Sequence, residues 1–143
     1  MLKMFIMQGI PGSGKSRFVK RLGPAWVCSA DSYPGLYTAA GFDATKLGKA
    51  HTFCFKQAML ALQGGSSVVV DNTNLNVIDI APYIALGKAL DCEIVIVRVV
   101  CPQLVAYRRQ THGVPLATHR KMAERFRRFV APAYWEVKIR EVG

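Results

Sequence analysis

The chain has 143 residues, 51% of them apolar and 20% charged, and a formal net charge of +10. That length predicts one domain, residues 1–143, with enough apolar content for a proper core. No stretch is long and clean enough to span a bilayer, and the few apolar residues after Met1 are too short for a secretory signal, so Met1 is read as the start of the fold.

In chain order, Lys3 to Gln8 (KMFIMQ) reads as a short apolar strand. Gly9-Ile10-Pro11-Gly12-Ser13-Gly14-Lys15-Ser16 follows it and fits the phosphate-loop (Walker A) pattern G-x-x-x-x-G-K-[ST] at every fixed position. Lys15 to Leu22 reads as a helix start whose dipole and free N–H groups point at an anion. Ala25 to Ala30 is a second strand, and Gly35 to Gly41 is the candidate for a mobile loop. Asp43 to Gln63 reads as a helix stopped by Gly64-Gly65. Ser67 to Asp71 (SVVVD) is a buried strand. Asn76 to Leu90 is a long helix despite Pro82 and Gly87, and Glu93 to Val100 (EIVIVRVV) is the strongest strand of the chain. Pro102 opens a helix to Gln110, Thr111 to Pro115 is a turn, and Leu116 to Val130 is a basic amphipathic helix. Trp135 to Val142 alternates as a last strand. Strands alternating with helices predict an α/β fold with a mostly parallel sheet. Trp26, Phe53, Phe55 and Trp135 are read as core.

The phosphate loop assigns chemistry to its residues. Gly9, Pro11, Gly12, Ser13 and Gly14 form a backbone cradle for phosphate oxygens, with no Cβ in the way at the glycines. Lys15 supplies a mobile cation for the β- and γ-phosphates, and the Ser16 hydroxyl can ligate Mg²⁺. Asp71 ends an apolar strand, as a Walker B acid does, and is a candidate Mg²⁺ ligand, or else a cap in Asp71-Asn72-Thr73-Asn74. Asp31 follows the second strand, where doubly wound sheets gather ligands. It is read either as the base for an attacking hydroxyl or as a turn residue. Arg98 to Arg128 holds eight Lys or Arg against the single acid Glu124, which is +7 of the +10 in one segment. Such a block repels itself unless an anion fills it, so it is read as a lid on ATP, with Arg108 and Arg109 on the phosphates. Arg125, Arg127 and Arg128 are divided between that lid and plain surface. His51 is read as a hydrogen-bonded, partly buried residue, and His112 lies beside the lid turn within reach of phosphate. Tyr33 and Tyr37 either stack on a base or pack on the following helix. Cys28, Cys54, Cys92 and Cys101 form no C-x-x-C pair and sit in apolar sequence. They read as buried, reduced thiols of a cytoplasmic protein with no zinc site.

Four of these segments together resemble a known family. The phosphate loop, Ser29-Ala30-Asp31-Ser32-Tyr33, Asp71-Asn72-Thr73-Asn74-Leu75-Asn76 and Arg109-Gln110-Thr111-His112-Gly113-Val114-Pro115 are similar to the kinase domain of bacteriophage-type 5′-polynucleotide kinases and to the related AAA-type P-loop kinases. The resemblance runs from about Met4 to Phe129. It implies a P-loop NTPase fold with a five-stranded parallel core, in which the Asp71 strand lies beside the phosphate-loop strand, and an Arg-rich helical lid. It also implies that Lys15 and Ser16 bind phosphates and Mg²⁺, that Asp31 activates the acceptor 5′-hydroxyl, and that Arg109 is the lid arginine. Two departures stand out. The family carries an Asp directly before its Thr-Asn pair, where this chain has Asn72 and places the acid one residue earlier, at Asp71. The family often has an arginine for the acceptor's 3′-phosphate shortly after the acceptor Asp, and Ser32 to Leu36 (SYPGL) has none. The phosphatase domain that the bifunctional phage enzyme carries is not expected within residues 1–143.

The resulting expectation is an ATP- and Mg²⁺-dependent kinase that moves the γ-phosphoryl group to the 5′-hydroxyl end of DNA or RNA. Lys15, Asp31 and Arg109 carry the catalysis, and a 5′-OH nucleic acid is the expected partner. Two other readings remain open: a kinase of a nucleoside, sugar or antibiotic, and a nucleotide-switched binding module without an acceptor. The +10 charge suits nucleic acid, anionic membranes and phosphorylated metabolites alike.

Overall fold

The computed structural model describes residues 1–143. The elements run β1 (Lys3–Gln8), α1 (Lys15–Val19), β2 (Trp26–Cys28), β3 (Tyr37–Thr38), β4 (Gly41–Phe42), α2 (Leu47–Gln63), β5 (Val68–Asp71), α3 (Val77–Ala89), β6 (Glu93–Val99), α4 (Gln103–Arg109), α5 (Leu116–Arg128) and β7 (Lys138–Val142). Five strands form one sheet in the order β2-β5-β1-β6-β7, with every neighbouring pair parallel. This matches the doubly wound expectation, and β5 does lie beside β1.

The apolar runs of β1, β5 and β6 have a physical reason. A parallel sheet is covered on both faces, so both sets of alternating side chains must be apolar. Met4, Ile6, Val68, Val70, Ile94 and Ile96 face one cluster with Cys54, Ala58 and Leu62 of α2 and Ile80, Tyr83 and Ile84 of α3. Phe5, Met7, Val69, Val95, Val97 and Val99 face the other, against Phe18, Val19 and Leu22. α3 passes very close to β6: a Cβ at Gly87 would stand 2.7 Å from Ile94 Cδ1. That explains a glycine inside a helix. Pro82 deprives Ile78 of its carbonyl's partner, and Ile78 is exposed.

The structure corrects several local expectations. The helix after the phosphate loop spans only five residues and ends at Val19. Asp43 caps a single 3₁₀ turn over Ala44–Lys46 before α2 begins, accepting from Thr45 N at 3.0 Å. The Gly35–Gly41 loop contains β3, which pairs with β4 in a separate antiparallel ribbon. The last strand starts at Lys138, because Ala133–Trp135 forms a 3₁₀ turn. Trp26 is 54% exposed, since β2 is a three-residue edge strand. Trp135 is buried, while Phe53 and Phe55 are half-buried on α2. All four cysteines are free thiols, but only Cys28 and Cys54 are buried; Cys92 and Cys101 are partly open. No helix is long and apolar enough to cross a membrane.

Candidate active site

The carboxyl ends of β1, β2 and β5 converge on one cleft of about 590 Å³. Its wall contains Pro11, Gly12, Ser13, Gly14, Lys15 and Ser16 from the loop after β1, Asp31 from the turn after β2, and Asp71 at the end of β5. Arg109, at the end of α4, also lines it. Strand ends are where an open parallel sheet offers free backbone groups and loop side chains to a ligand. Gly9 lies just behind the wall. Its N–H donates to Thr73 O (3.1 Å) and its carbonyl accepts from Lys15 Nζ (3.1 Å).

The phosphate loop is shaped by its glycines and by its neighbours. At Gly12, φ is +83°, and a Cβ would lie 2.0 Å from the Ala106 carbonyl of α4. Any side chain there would push the loop off the lid. Ser13 Oγ is buried with no hydrogen-bond partner. An orphaned hydroxyl inside a ring of glycines suits an incoming phosphate oxygen.

The charges of the cleft are arranged for a ligand that carries its own. Burial holds the Lys15 ammonium below its ordinary range, while the charges of Asp71 and then Asp31 pull it back up. Burial also pushes the Asp71 carboxyl up; Lys15 opposes this and Asp31 adds to it. For both groups desolvation outweighs mutual attraction. A polyphosphate beside Lys15 and a hard cation beside Asp71 would relieve both. The Ser16 hydroxyl and Asp71 carboxylate, both oxygen donors on this wall, fit Mg²⁺.

Asp31 is positioned from two strands. Ser29 caps the turn at Ala30–Ser32, its Oγ accepting from Asp31 N at 3.2 Å. Asn72, at the end of β5, accepts from Ala30 N through Oδ1 at 2.9 Å. The residue that departs from the family's Asp thus ties the Asp31 turn to the central sheet. A carboxylate at that place would face the same backbone N–H with a full charge beside Asp71.

Several readings of the basic segment change. Arg109 lines the cleft, but Arg108 does not. Arg98 turns inward: it donates to Gln8 Oε1 and to the Phe126 carbonyl (2.9 Å), and it lies 4.1 Å from the centre of the Phe126 ring. It fastens α5 to the sheet. Arg127 and Arg128 both pair with Glu124 on their own helix. Three of the eight cations of this block are thus paired within the protein. His51 is exposed and belongs to the cleft wall, not to a partial core. His112 does reach the cleft. Its Nε2 lies 3.8 Å from Asp31 Oδ2, and Tyr37 packs on its ring at 5.5 Å. Tyr33 instead packs edge-on against Phe53 of α2.

His119 is the residue the sequence reading passed over. It is fully buried on α5. Nε2 bonds the Pro11 carbonyl at 2.8 Å, and Nδ1 faces Gln103 Nε2 at 2.9 Å. An amide nitrogen can only donate, so Nδ1 accepts and Nε2 carries the hydrogen given to Pro11. The signal was present: His119, Met122, Ala123 and Phe126 follow the i, i+3, i+4, i+7 spacing of the inward face of α5.

Residues 4–129 match the family model described as AAA domain (AAA_33). Human NEDD4-binding protein 2 is 31% identical over 140 residues, which cover 91% of this chain and 8% of that protein. A protein of Acanthamoeba polyphaga mimivirus, named as a bifunctional polynucleotide phosphatase/kinase, is 40% identical over 86 residues, which cover 60% of this chain and 18% of the relative. The chain thus spans a small part of the relatives it matches. Among solved structures, a chain of the Pnkp1/Rnl/Hen1 RNA repair complex superposes with a TM-score of 0.74 at 17% identity, covering 88% of this chain and 44% of that one. A sugar kinase from Janibacter superposes with a TM-score of 0.67 at 12% identity, covering 99% and 85%. These two likenesses concern the fold, a five-stranded parallel sheet flanked by helices as in P-loop NTPase kinases. The loop, the sheet order and the matched residues lead to one assignment: the chain belongs to the AAA-domain family of P-loop, kinase-like phosphotransferases.

Proposed function

We propose that the protein is a Mg²⁺- and ATP-dependent kinase acting on the 5′-hydroxyl end of DNA or RNA. The observation that carries this reading is the meeting of the phosphate loop and Asp31 on one wall. The loop N–H groups of Gly12 and of Gly14 to Ser16, with Lys15, hold the β- and γ-phosphates, while the Ser13 N–H is donated to Ile10 O. Arg109 reaches from the end of α4 to the transferring phosphoryl group. Ser16 and Asp71 would hold Mg²⁺, which when bound supplies charge neutralisation to the phosphate oxygens. Asp31 accepts the proton of the acceptor hydroxyl as its oxygen bonds to the γ-phosphorus and the β-phosphate oxygen of ADP departs. The kinship with the mimivirus relative supports a polynucleotide acceptor.

One observation favours a second reading. Beyond Asp31 the cleft wall carries Tyr37, Phe42, Leu47, His51 and His112 but no lysine or arginine. A site without a cation for an acceptor phosphate also suits a small neutral alcohol, as a sugar kinase uses. The deciding experiment is incubation with γ-labelled ATP and four acceptors: 5′-OH DNA, 5′-OH RNA, nucleosides and simple sugars. Label on the 5′-OH nucleic acids is expected. Label on sugars alone overturns the polynucleotide reading. Hydrolysis to free phosphate with no labelled acceptor identifies a nucleotide-switched module.

A further inference from the structure

The cleft is chemically two-sided. Lys15, Arg17 and Arg109 stand on the phosphate side. The Asp31 side is aromatic. Tyr37 and Phe42, paired across the β3–β4 ribbon, have ring centroids 5.4 Å apart and remain 42% and 51% exposed. Both line the same cleft as the phosphate loop and Asp31. Tyr37 also packs on His112, tilted at 40°, and the His112 ring touches the surroundings of Asp31 at 3.8 Å. The His112 turn is itself held in shape. Gln110 accepts from Val114 N (2.9 Å) and donates to Val114 O (2.8 Å), closing residues 110–114 into a small ring. Two separate pieces of chain, the ribbon and the lid turn, therefore bring flat rings together around one carboxylate.

We infer that Tyr37, packed against both Phe42 and His112 and still 42% exposed, forms a stacking subsite for the base of the acceptor's terminal nucleotide, so that the enzyme holds its acceptor by the base where the family often uses an arginine on the 3′-phosphate. This rests on Asp31 being the acceptor base. A nucleotide places its 5′-hydroxyl and its base on one sugar, so a ring surface beside Asp31 delivers the hydroxyl to the carboxylate. Stacking is indifferent to base identity, since every base has a π-face. The subsite selects for the presence of a base rather than for its sequence. It also distinguishes a nucleic-acid end from a sugar, which has no such face.

The test compares two single-stranded oligodeoxynucleotides with a free 5′-hydroxyl, one with an ordinary 5′ residue and one with a tetrahydrofuran abasic residue at that end. The wild-type protein should show a KM about 5- to 100-fold higher for the abasic acceptor, with kcat little changed. Tyr37→Ala should raise the KM for the ordinary acceptor into that range and leave the abasic acceptor and the KM for ATP unaffected. Tyr37→Phe, which keeps the ring, should match wild type, and Phe42→Ala should show a smaller effect of the same kind. Equal KM values for both acceptors with the wild type, or an equal rise for both in Tyr37→Ala, overturns the subsite while leaving the kinase reading standing. Absence of label on either oligonucleotide, with label on a sugar, overturns both.

Discussion

The two halves of the cleft are built by different means. The phosphate half is fastened to the interior at many points. Gly9 N–H bonds Thr73 O, Asn74 Nδ2 donates to Met7 O at 2.7 Å, Gln8 Nε2 donates to Asn74 O at 2.9 Å, and His119 bonds Pro11 O. Gln8, Asn74 and His119 are all buried. The Asp31 half rests on a two-plus-two-residue ribbon and a capped turn, where only Ala30 and Leu36 are buried and the other side chains are half-exposed or exposed. Binding a polyphosphate demands fixed N–H directions, which buried hydrogen bonds supply. Acceptors differ from one enzyme to another, and a short surface element can change residues without disturbing the sheet. Under the proposed function, the first half carries the phosphate chemistry and the second the choice of acceptor.

The largest effect that would break this division is at Asp31. Asp31→Asn should lower phosphoryl transfer by about 10²- to 10⁴-fold while leaving the affinity for ATP unchanged. Transfer rates with labelled ATP, set beside ATP titration, read the two quantities apart; an unchanged rate removes Asp31 from the chemistry. His119→Ala acts on the opposite half. It strips the Pro11 carbonyl and the Gln103 amide of their partner in a dry place, so a loss of about 2–4 kcal/mol in stability is expected, with weaker ATP binding. His119→Gln, whose amide can again donate to Pro11 O, should restore much of it. Thermal unfolding and ATP affinity check this, and an ATP affinity equal to wild type in a folded His119→Ala protein would detach α5 from the loop.

Smaller effects sharpen the boundary. Asn72→Ala removes the acceptor for Ala30 N–H and should cost about 1–2 kcal/mol. Its signature is a higher KM for the acceptor without a change in ATP affinity, measured by steady-state kinetics. The smallest effect concerns Cys28, buried under the acceptor turn. Burial first, and the neighbouring Cys54 second, push its thiol up to about 12. Above pH 9 the unfolded thiol ionises while the folded one keeps its proton, so the folded state binds more protons and stability declines as pH rises. Cys28→Ala should flatten that decline in unfolding curves taken between pH 8.5 and 10.5, a range chosen to stay below the folded value (~12).

Much of the sheet was legible because the physics is local. The β1, β5 and β6 runs are apolar on both faces through their centres (Met4–Met7, Val68–Val70, Ile94–Val97), and only strands covered on both faces tolerate that. That β5 neighbours β1 came through resemblance and the rest of the strand order only from the structure, since periodicity carries no information about which strand is whose neighbour. The phosphate loop was legible from spacing, Asp31 and Asp71 from their places after strands, and Arg109 from the basic run and the resemblance; all of them line the cleft. The β3–β4 ribbon was not, because two-residue strands leave no alternation to read. Trp26 misled for a related reason: composition marks it as core, and only the sheet order reveals that its strand is an edge. Arg98 misled in the other direction. Charge counting places it with the lid, whereas pairing β1 to β6 sets it level with Gln8, where the apolar face ends and a polar pair can close it.

The bond between α5 and the phosphate loop has a mechanical consequence. With its first turn bonded to Pro11 through His119 and its last turn held by Arg98, α5 behaves as a fixed post. Any swing that admits or releases a nucleotide without breaking those bonds is confined to the short flap between Arg109 and Pro115. The reach of the arginine is then set by the length of that flap, and its travel is measured in side-chain dimensions rather than helix displacements.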